Sequence, residues 1–244
     1  MTLEPLLDGF PAEGMIFPVA SVHLAVSDAP HPYHLAEMAA ARENWARESA
    51  ANPALFDGRM LFQRRLVFDG REIRGSGHVV PYSTFLLWRK SRAPGGYHLF
   101  GLPLLASADG AVIAIRMAAR TANAGRVYCA AGSLDTGDIV DGVCDIDANM
   151  RREVLEETGL DLAGAHEEPG YHALHIRSVV TVFKIFRLPQ TADVLLDRIR
   201  LHIAGDPEPE ADAAVAIFDA DPARHAYAEF MPAVLAWFFG NKDR

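Results

Sequence analysis

Between residues 152 and 160 the chain reads Arg-Glu-Val-Leu-Glu-Glu-Thr-Gly-Leu. On a helix, Glu153, Glu156 and Glu157 stand at i, i+3 and i+4, so their carboxylates share one face. Like charges so spaced disfavour a helix by about a few tenths of a kcal/mol per pair unless a cation offsets them. Clustered hard oxygen ligands suit Mg²⁺ or Mn²⁺, which prefer carboxylates, keep water and bridge to substrate phosphates. A metal platform for phosphate chemistry is one reading of these residues; a solvated glutamate-rich helix is the other, and the commoner one for three such glutamates taken alone. A second acidic group lies downstream, in the proline-stiffened loop Asp206-Pro207-Glu208-Pro209-Glu210-Ala211-Asp212.

The elements that must hold these groups follow from local signals. Asp145 is a natural N-cap with Asp147 in the first turn, and Gly159 a stop, so the spacing predicts a helix over 146–158. Met150, Val154 and Thr158 lie on its packing side, leaving the acidic side open. Upstream, Asp109-Gly110 between GLPLLAS and AVIAIRM predicts a hairpin, as does Asp69-Gly70 between MLFQRRLVF and REIRGSGHVV. Phe17–Val26 reads as one strand, His34–Ser49 as a helix closed by Asn52-Pro53, and Ser83 as the cap of a short helix through Trp88. HIRSVVTVFKIF reads as a strand, Thr191 opens a helix to about Ala204, AAVAIF is a strand, and a last helix starts at Pro232. The break at Pro94-Gly95-Gly96 divides the chain into an N-terminal α+β region, 1–98, and a second domain, 99–244. Strands and helices mix without strict alternation, which argues for an α+β or layered α/β/α arrangement over a doubly wound sheet.

Residues 152–160 resemble the second half of the signature of the Nudix hydrolases, Arg-Glu-U-x-Glu-Glu-x-Gly-U with U apolar, at every position. Ordinary residue frequencies put a chance match at about 10⁻⁵ to 10⁻⁴ in a chain of this length. Gly132 through Asp138 resembles the first half, with Asp138 in place of a glutamate. Thirteen residues separate Asp138 from Arg152 where the family has seven, a six-residue insertion over 139–144. The resemblance implies a Nudix-like α/β/α sandwich around a mixed sheet, with the N-terminal region as an appendage. It implies that Glu153, Glu156 and Glu157 bind Mg²⁺ or Mn²⁺ and that Arg152 orients a glutamate. The implied reaction is hydrolysis of a nucleoside diphosphate linked to another moiety, which makes the chain a pyrophosphatase of phosphoric anhydride bonds. The base is one of the box glutamates or, as in family members that recruit a downstream loop acid, Glu210. A loss of catalysis, leaving a nucleotide-binding or regulatory module, is the other reading.

The substrate is expected to be a small nucleotide conjugate of the coenzyme A or ADP-ribose class. Ala124-Gly125-Arg126-Val127 followed by Gly132 resembles the segment before the box in coenzyme A diphosphatases, though Arg126 replaces a glutamate and Cys129-Ala130-Ala131-Gly132 replaces Phe-Pro-Gly-Gly. Arg116, Arg120 and Arg126, with the Gly132 loop, are candidate phosphate holders; the arginines equally suit surface carboxylate partners. Tyr128 suits stacking on a base or packing in a strand.

The 244 residues carry 23 Lys and Arg against 32 Asp and Glu, a net charge of −9, which disfavours polymeric nucleic acid as a partner. The N-terminus lacks a basic segment and no apolar run approaches the ~20 residues of a membrane helix. A cytoplasmic location and no membrane partner are therefore expected, with a homodimer as a further expectation from the family resemblance. Cys129 and Cys144 form no CxxC pair and read as ordinary thiols. The histidines show no zinc-ligand spacing, and Gly75-Ser76-Gly77-His78 is not a nucleophile elbow.

Overall fold

The computed structural model describes residues 6–241. In chain order the elements are β1 (Leu6–Asp8), β2 (Phe17–Val19), β3 (Ser21–Ser27), α1 (Pro32–Ala51), β4 (Arg59–Phe68), β5 (Glu72–Pro81) and α2 (Tyr82–Ser91). There follow β6 (His98–Ala106), β7 (Val112–Met117), β8 (Val127–Tyr128), β9 (Ile139–Val140), β10 (Val143–Cys144) and α3 (Ile146–Thr158). The chain ends with β11 (His166–Glu167), β12 (Tyr171–Ile176), β13 (Val179–Arg187), α4 (Ala192–Gly205), β14 (Ala211–Ile217) and α5 (Met231–Gly240). The described residues form a mixed α/β fold with two mixed sheets and five α-helices. No described helix is long and apolar enough to cross a membrane.

The first sheet runs β1-β4-β5-β3-β10-β9 and the second β14-β7-β6-β13-β12-β2. Neither sheet is built from one half of the chain. Strand β2 closes the second sheet against β12, while β9 and β10 extend the edge of the first, with Val143 and Cys144 opposite Ala25 and Leu24 of β3. One apolar core spans both sheets, with Leu24, Leu61 and Leu66 from the first and Leu102, Val182 and Phe183 from the second all fully buried. The Phe17 and Phe68 rings, 4.6 Å apart, join β2 to β4 across the two sheets. On the outer face of the first sheet, Met60, Phe62 and Val80 meet Tyr33 of α1 and Phe85 and Trp88 of α2 in a smaller cluster.

Strand alternation sets the layers of the second sheet. On β13, Lys184 points to α3, binding Asp147 at 2.9 Å, whereas Phe183 points the other way, to Trp237 of α5 at 5.2 Å between rings. Helices α3 and α5 therefore cover opposite faces, the α/β/α layering expected. Helix α3 lies close to β6 at Gly101, where an added Cβ would come within 3.0 Å of Met150 and Ile146 side chains.

Three expectations need correction. Phe17–Val26 is two strands in different sheets, split at Ala20, because the chain crosses from one sheet to the other there. HIRSVVTVFKIF is the end of β12, a turn with Arg177 at φ 53°, and β13. Ser83 lies inside α2, which runs on to Ser91; the free Ser83 N–H is capped instead by the Asp57 carboxylate at 2.7 Å. That cap sits 26 residues back, beyond the reach of a local signal.

Candidate active site

Helix α3 occupies 146–158, with the Asp145 side chain accepting the Ala148 N–H at 2.9 Å and Gly159 ending the helix at φ 69°. Ile146, Met150, Val154 and Thr158 are buried, so packing of this side turns the glutamates toward the loop that starts at Gly132. At its first turn the helix is tied to the sheet by Lys184, which also binds Glu167 at 2.8 Å. In its last turn the Glu156 carbonyl meets the His202 ring at 2.8 Å, tying α3 to α4.

Arg152 is the centre of the acidic cluster. It pairs with Asp138 at 3.1 Å, Glu153 at 2.9 Å, Glu156 at 3.0 Å and Asp135 at 3.4 Å. Burial works against its charge, but Glu153, Asp138 and Asp135 outweigh burial and bind its proton more firmly than usual. Asp138 is 3% exposed and well satisfied, accepting the Asp135 N–H and the Asn149 side-chain amide, each at 2.9 Å, as well as Arg152. The six extra residues do not pull it away. They form the β9–β10 hairpin, turning at Asp141 and Gly142 in the left-handed region, and the Asp145 N–H closes the loop on the Asp138 carbonyl at 2.8 Å.

Glu153 is 9% exposed and lies against Gly132, where any Cβ would overlap its carboxylate. Burial pushes its carboxyl up to about 7 against the pull of Arg152, and Glu156, Asp138 and Glu210 add to the rise. Burial also raises the Glu157 carboxyl well above the usual range; the charges of Glu153 and Glu210 add to this and the Ala131 backbone N–H opposes it. The Oε2 atom of Glu157 is buried with no hydrogen-bond partner among the described residues. A buried, unpartnered carboxylate oxygen among like charges is disfavoured alone and fits a divalent cation. Among the described residues no three such groups converge closely enough to hold an ion with Arg152 holding Glu153 and Glu156 as it does. Glu156 is exposed and paired with Arg152.

The remaining candidates fall in two groups. Arg116 pairs with Asp212 at 2.6 Å, and Arg120 pairs with Glu208 at 3.4 Å and donates to the Pro209 carbonyl at 3.2 Å. Two of the candidate arginines thus clasp the acidic loop itself. That loop is also held by the Ala118 N–H on the Glu210 carbonyl at 2.8 Å, and the Glu210 charge acts on Glu153 and Glu157. Arg126 stands apart, exposed, with one long bond of 3.4 Å to the Tyr227 carbonyl. Tyr128 is buried in β8 and accepts the Asn123 amide at 2.9 Å. Sequence reasoning passed over Asp135 and Asn149. Asn149 stands four residues before Glu153 and three before Arg152, on the same helical face, and that spacing was the available signal.

No protein-family model matches the sequence, and no curated protein matches it. Among solved structures the chain is similar to the MutT protein from Methanosarcina mazei Go1, with 14% identity and a TM-score of 0.41 over 61% of this chain and 96% of that one. It is similar to the E. coli ORF135 protein, with 16% identity and a TM-score of 0.35 over 59% and 90% of the two chains. It is also similar to RenU, a Nudix hydrolase from M. smegmatis, with 12% identity and a TM-score of 0.38 over 59% and 83%.

Proposed function

We propose that the chain is a divalent-metal-dependent pyrophosphohydrolase of the Nudix type, acting on a nucleoside diphosphate linked to another moiety. The observation that carries the reading is the joint placement of Glu153, Glu156 and Glu157 on α3, with Glu153 and Glu156 paired to an arginine that Asp138 also holds. Glu153, Glu156 and Glu157 are the residues that would hold Mg²⁺ or Mn²⁺. Bound there, such an ion supplies charge neutralisation on the nonbridging oxygens and an acidified water.

The protein groups divide the remaining work. Arg152 fixes the rotamers of Glu153 and Glu156 from one side while Asp138 and Asn149 fix Arg152 and Glu153 from the other. Gly132 leaves the space that the Glu153 carboxylate fills. Glu210 is the base we favour: it is exposed, it belongs to a different element from the α3 carboxylates, and its charge reaches them. It would take the proton of the attacking water as the anhydride bond to the leaving phosphate breaks. Arg116 and Arg120 then serve as positioning residues for the Glu210 loop, through Asp212, Glu208 and Pro209.

The test is product formation from ADP-ribose, coenzyme A, NADH, dinucleoside polyphosphates and nucleoside triphosphates, with Mg²⁺ and Mn²⁺ separately, resolved by mass. We expect cleavage of at least one member, lowered about 10²-fold or more in Glu157→Gln with an unchanged fold. Turnover retained in Glu157→Gln removes the assignment. Nucleotide held but never consumed by the wild-type chain would point to a binding module.

A further inference from the structure

A diphosphate ester brings negative charge, and the cations placed so far around the glutamates are already paired: Arg152 with Asp138, Glu153 and Glu156, Arg116 with Asp212, Arg120 with Glu208. Helix α2 of the N-terminal region supplies another. In its last turn Arg89 donates to the Asn123 side-chain oxygen, 34 residues along the chain, and the Asn123 amide donates to Tyr128 Oη at 2.9 Å. The same 118–128 segment holds the Glu210 loop, through the Ala118 N–H on the Glu210 carbonyl at 2.8 Å, and Glu157 and Glu210 are among the charges that act on the Tyr128 hydroxyl together with Arg89. Tyr82, also on α2, hydrogen-bonds Arg89 and feels the charge of Glu210.

Arg89 is half-buried, and both of these partners are neutral, an amide and a phenol. Its neighbour Lys90 has a carboxylate partner in Glu48; Arg89 has none among the described residues. A place in the last turn of a helix accounts for a solvated arginine facing the carbonyl ends. It does not account for one turned inward onto the loop beside the glutamates. A guanidinium there carries five donors in a fixed fork, two partners that hold it in place without neutralising it, and a charge suited to a bidentate phosphate. The contact also has a second support from α1, whose C-cap residue Asn52 donates to the Arg120 carbonyl at 2.7 Å and ties the 118–128 segment to the N-terminal helices.

We infer that Arg89 binds a phosphate of the substrate's anhydride group, so that the site is shared between the N-terminal region and the α3 glutamates. The inference rests on the pyrophosphohydrolase reading for the identity of the ligand. Its test is equilibrium binding of α,β-methylene-ADP, a diphosphate that cannot be cleaved at the bridging position, to the full chain with Mn²⁺. Arg89→Ala should weaken binding about tenfold or more and raise KM in parallel, with Arg89→Lys recovering part of the loss because it restores charge without the fork. Asn123→Asp retains the arginine but gives it a carboxylate partner; it too should weaken binding, with no fall in Tm. Unchanged affinity in Arg89→Ala overturns the inference, and so does a wild-type chain that does not bind the probe. Loss in Arg89→Ala with wild-type affinity in Asn123→Asp assigns Arg89 a packing role and overturns it as well. The substrate panel decides the underlying reading separately: turnover with Arg89-independent binding leaves hydrolysis standing, while Arg89-dependent binding without turnover leaves a diphosphate site that does not hydrolyse.

Discussion

At the scale of single residues, the site stores unfavourable charge that a cation would relieve. Glu153, pushed up to about 7 by burial, and Glu157, also raised by burial and its acidic neighbours, take up protons in the folded state at a pH where the unfolded chain has lost them. A raised carboxyl stabilises the fold below its unfolded value near 4.5, and that stability is lost as pH rises through the folded value. For Glu153 alone the difference between 4.5 and about 7 corresponds to about 3 kcal/mol. The metal-free wild-type chain should therefore lose stability relative to Glu157→Gln between pH 5 and pH 8, and Mn²⁺ at pH 8 should raise the wild-type Tm and leave that of Glu157→Gln nearly unmoved. Denaturation curves at the two pH values check this; parallel curves for the two proteins would show that the carboxylates are not coupled to folding. Arg152 has the opposite sign. Its removal leaves Asp138 buried without its counter-ion, so Arg152→Ala should destabilise by about 3 kcal/mol, read as a lower denaturant midpoint at unchanged m.

At the scale of elements, the β9–β10 hairpin explains how a thirteen-residue connection keeps Asp138 and Arg152 together. Its ends meet through the Asp145 N–H and the Asp138 carbonyl, so Asp138 stays beside the start of the helix. The hairpin strand β10 instead serves β3, and the Val26 N–H bonds the Gly142 carbonyl at 2.8 Å at the tip. Deleting 139–144 should therefore preserve the Asp138–Arg152 pairing while uncovering the edge of the first sheet. The expected outcome is a lower Tm with metal-dependent turnover retained within about tenfold; complete loss of turnover in a folded deletion would assign the hairpin to the site. Close approach between elements is tested at Gly132, where Gly132→Ala drives a methyl group into the Glu153 carboxylate. Overpacking of this kind costs about 1–3 kcal/mol, and here it displaces a carboxylate on which the proposed reaction depends, so turnover should fall more than stability.

At the scale of the whole molecule, the N-terminal region holds the loop that opens the site. The Leu61 N–H of β4 bonds the Leu134 carbonyl at 2.8 Å, and Met60 bridges Asp135, so the loop carrying Gly132 and Asp138 rests on the first sheet. With one core running through both sheets, a fragment of residues 99–244 alone should lose the loop's support and the part of the core that Leu24, Leu61 and Leu66 supply. Circular dichroism melting and turnover of that fragment check the point: a cooperative melt with wild-type activity would make the N-terminal region dispensable.

The helix limits 146–158, with Asp145 before and Gly159 after, could be read from the chain because caps and 3.6-residue spacing are local. The common face of the three glutamates followed from the same geometry, and so did both Asp-Gly hairpins. Only the tertiary structure decided that Phe17–Val26 divides between two sheets, that Asp57 caps α2, that Arg116 and Arg120 clasp the acidic loop, and that Arg89 turns onto Asn123. Each of these depends on partners from 26 to 156 residues away, and no periodicity or composition along the chain encodes which distant surface a side chain will meet.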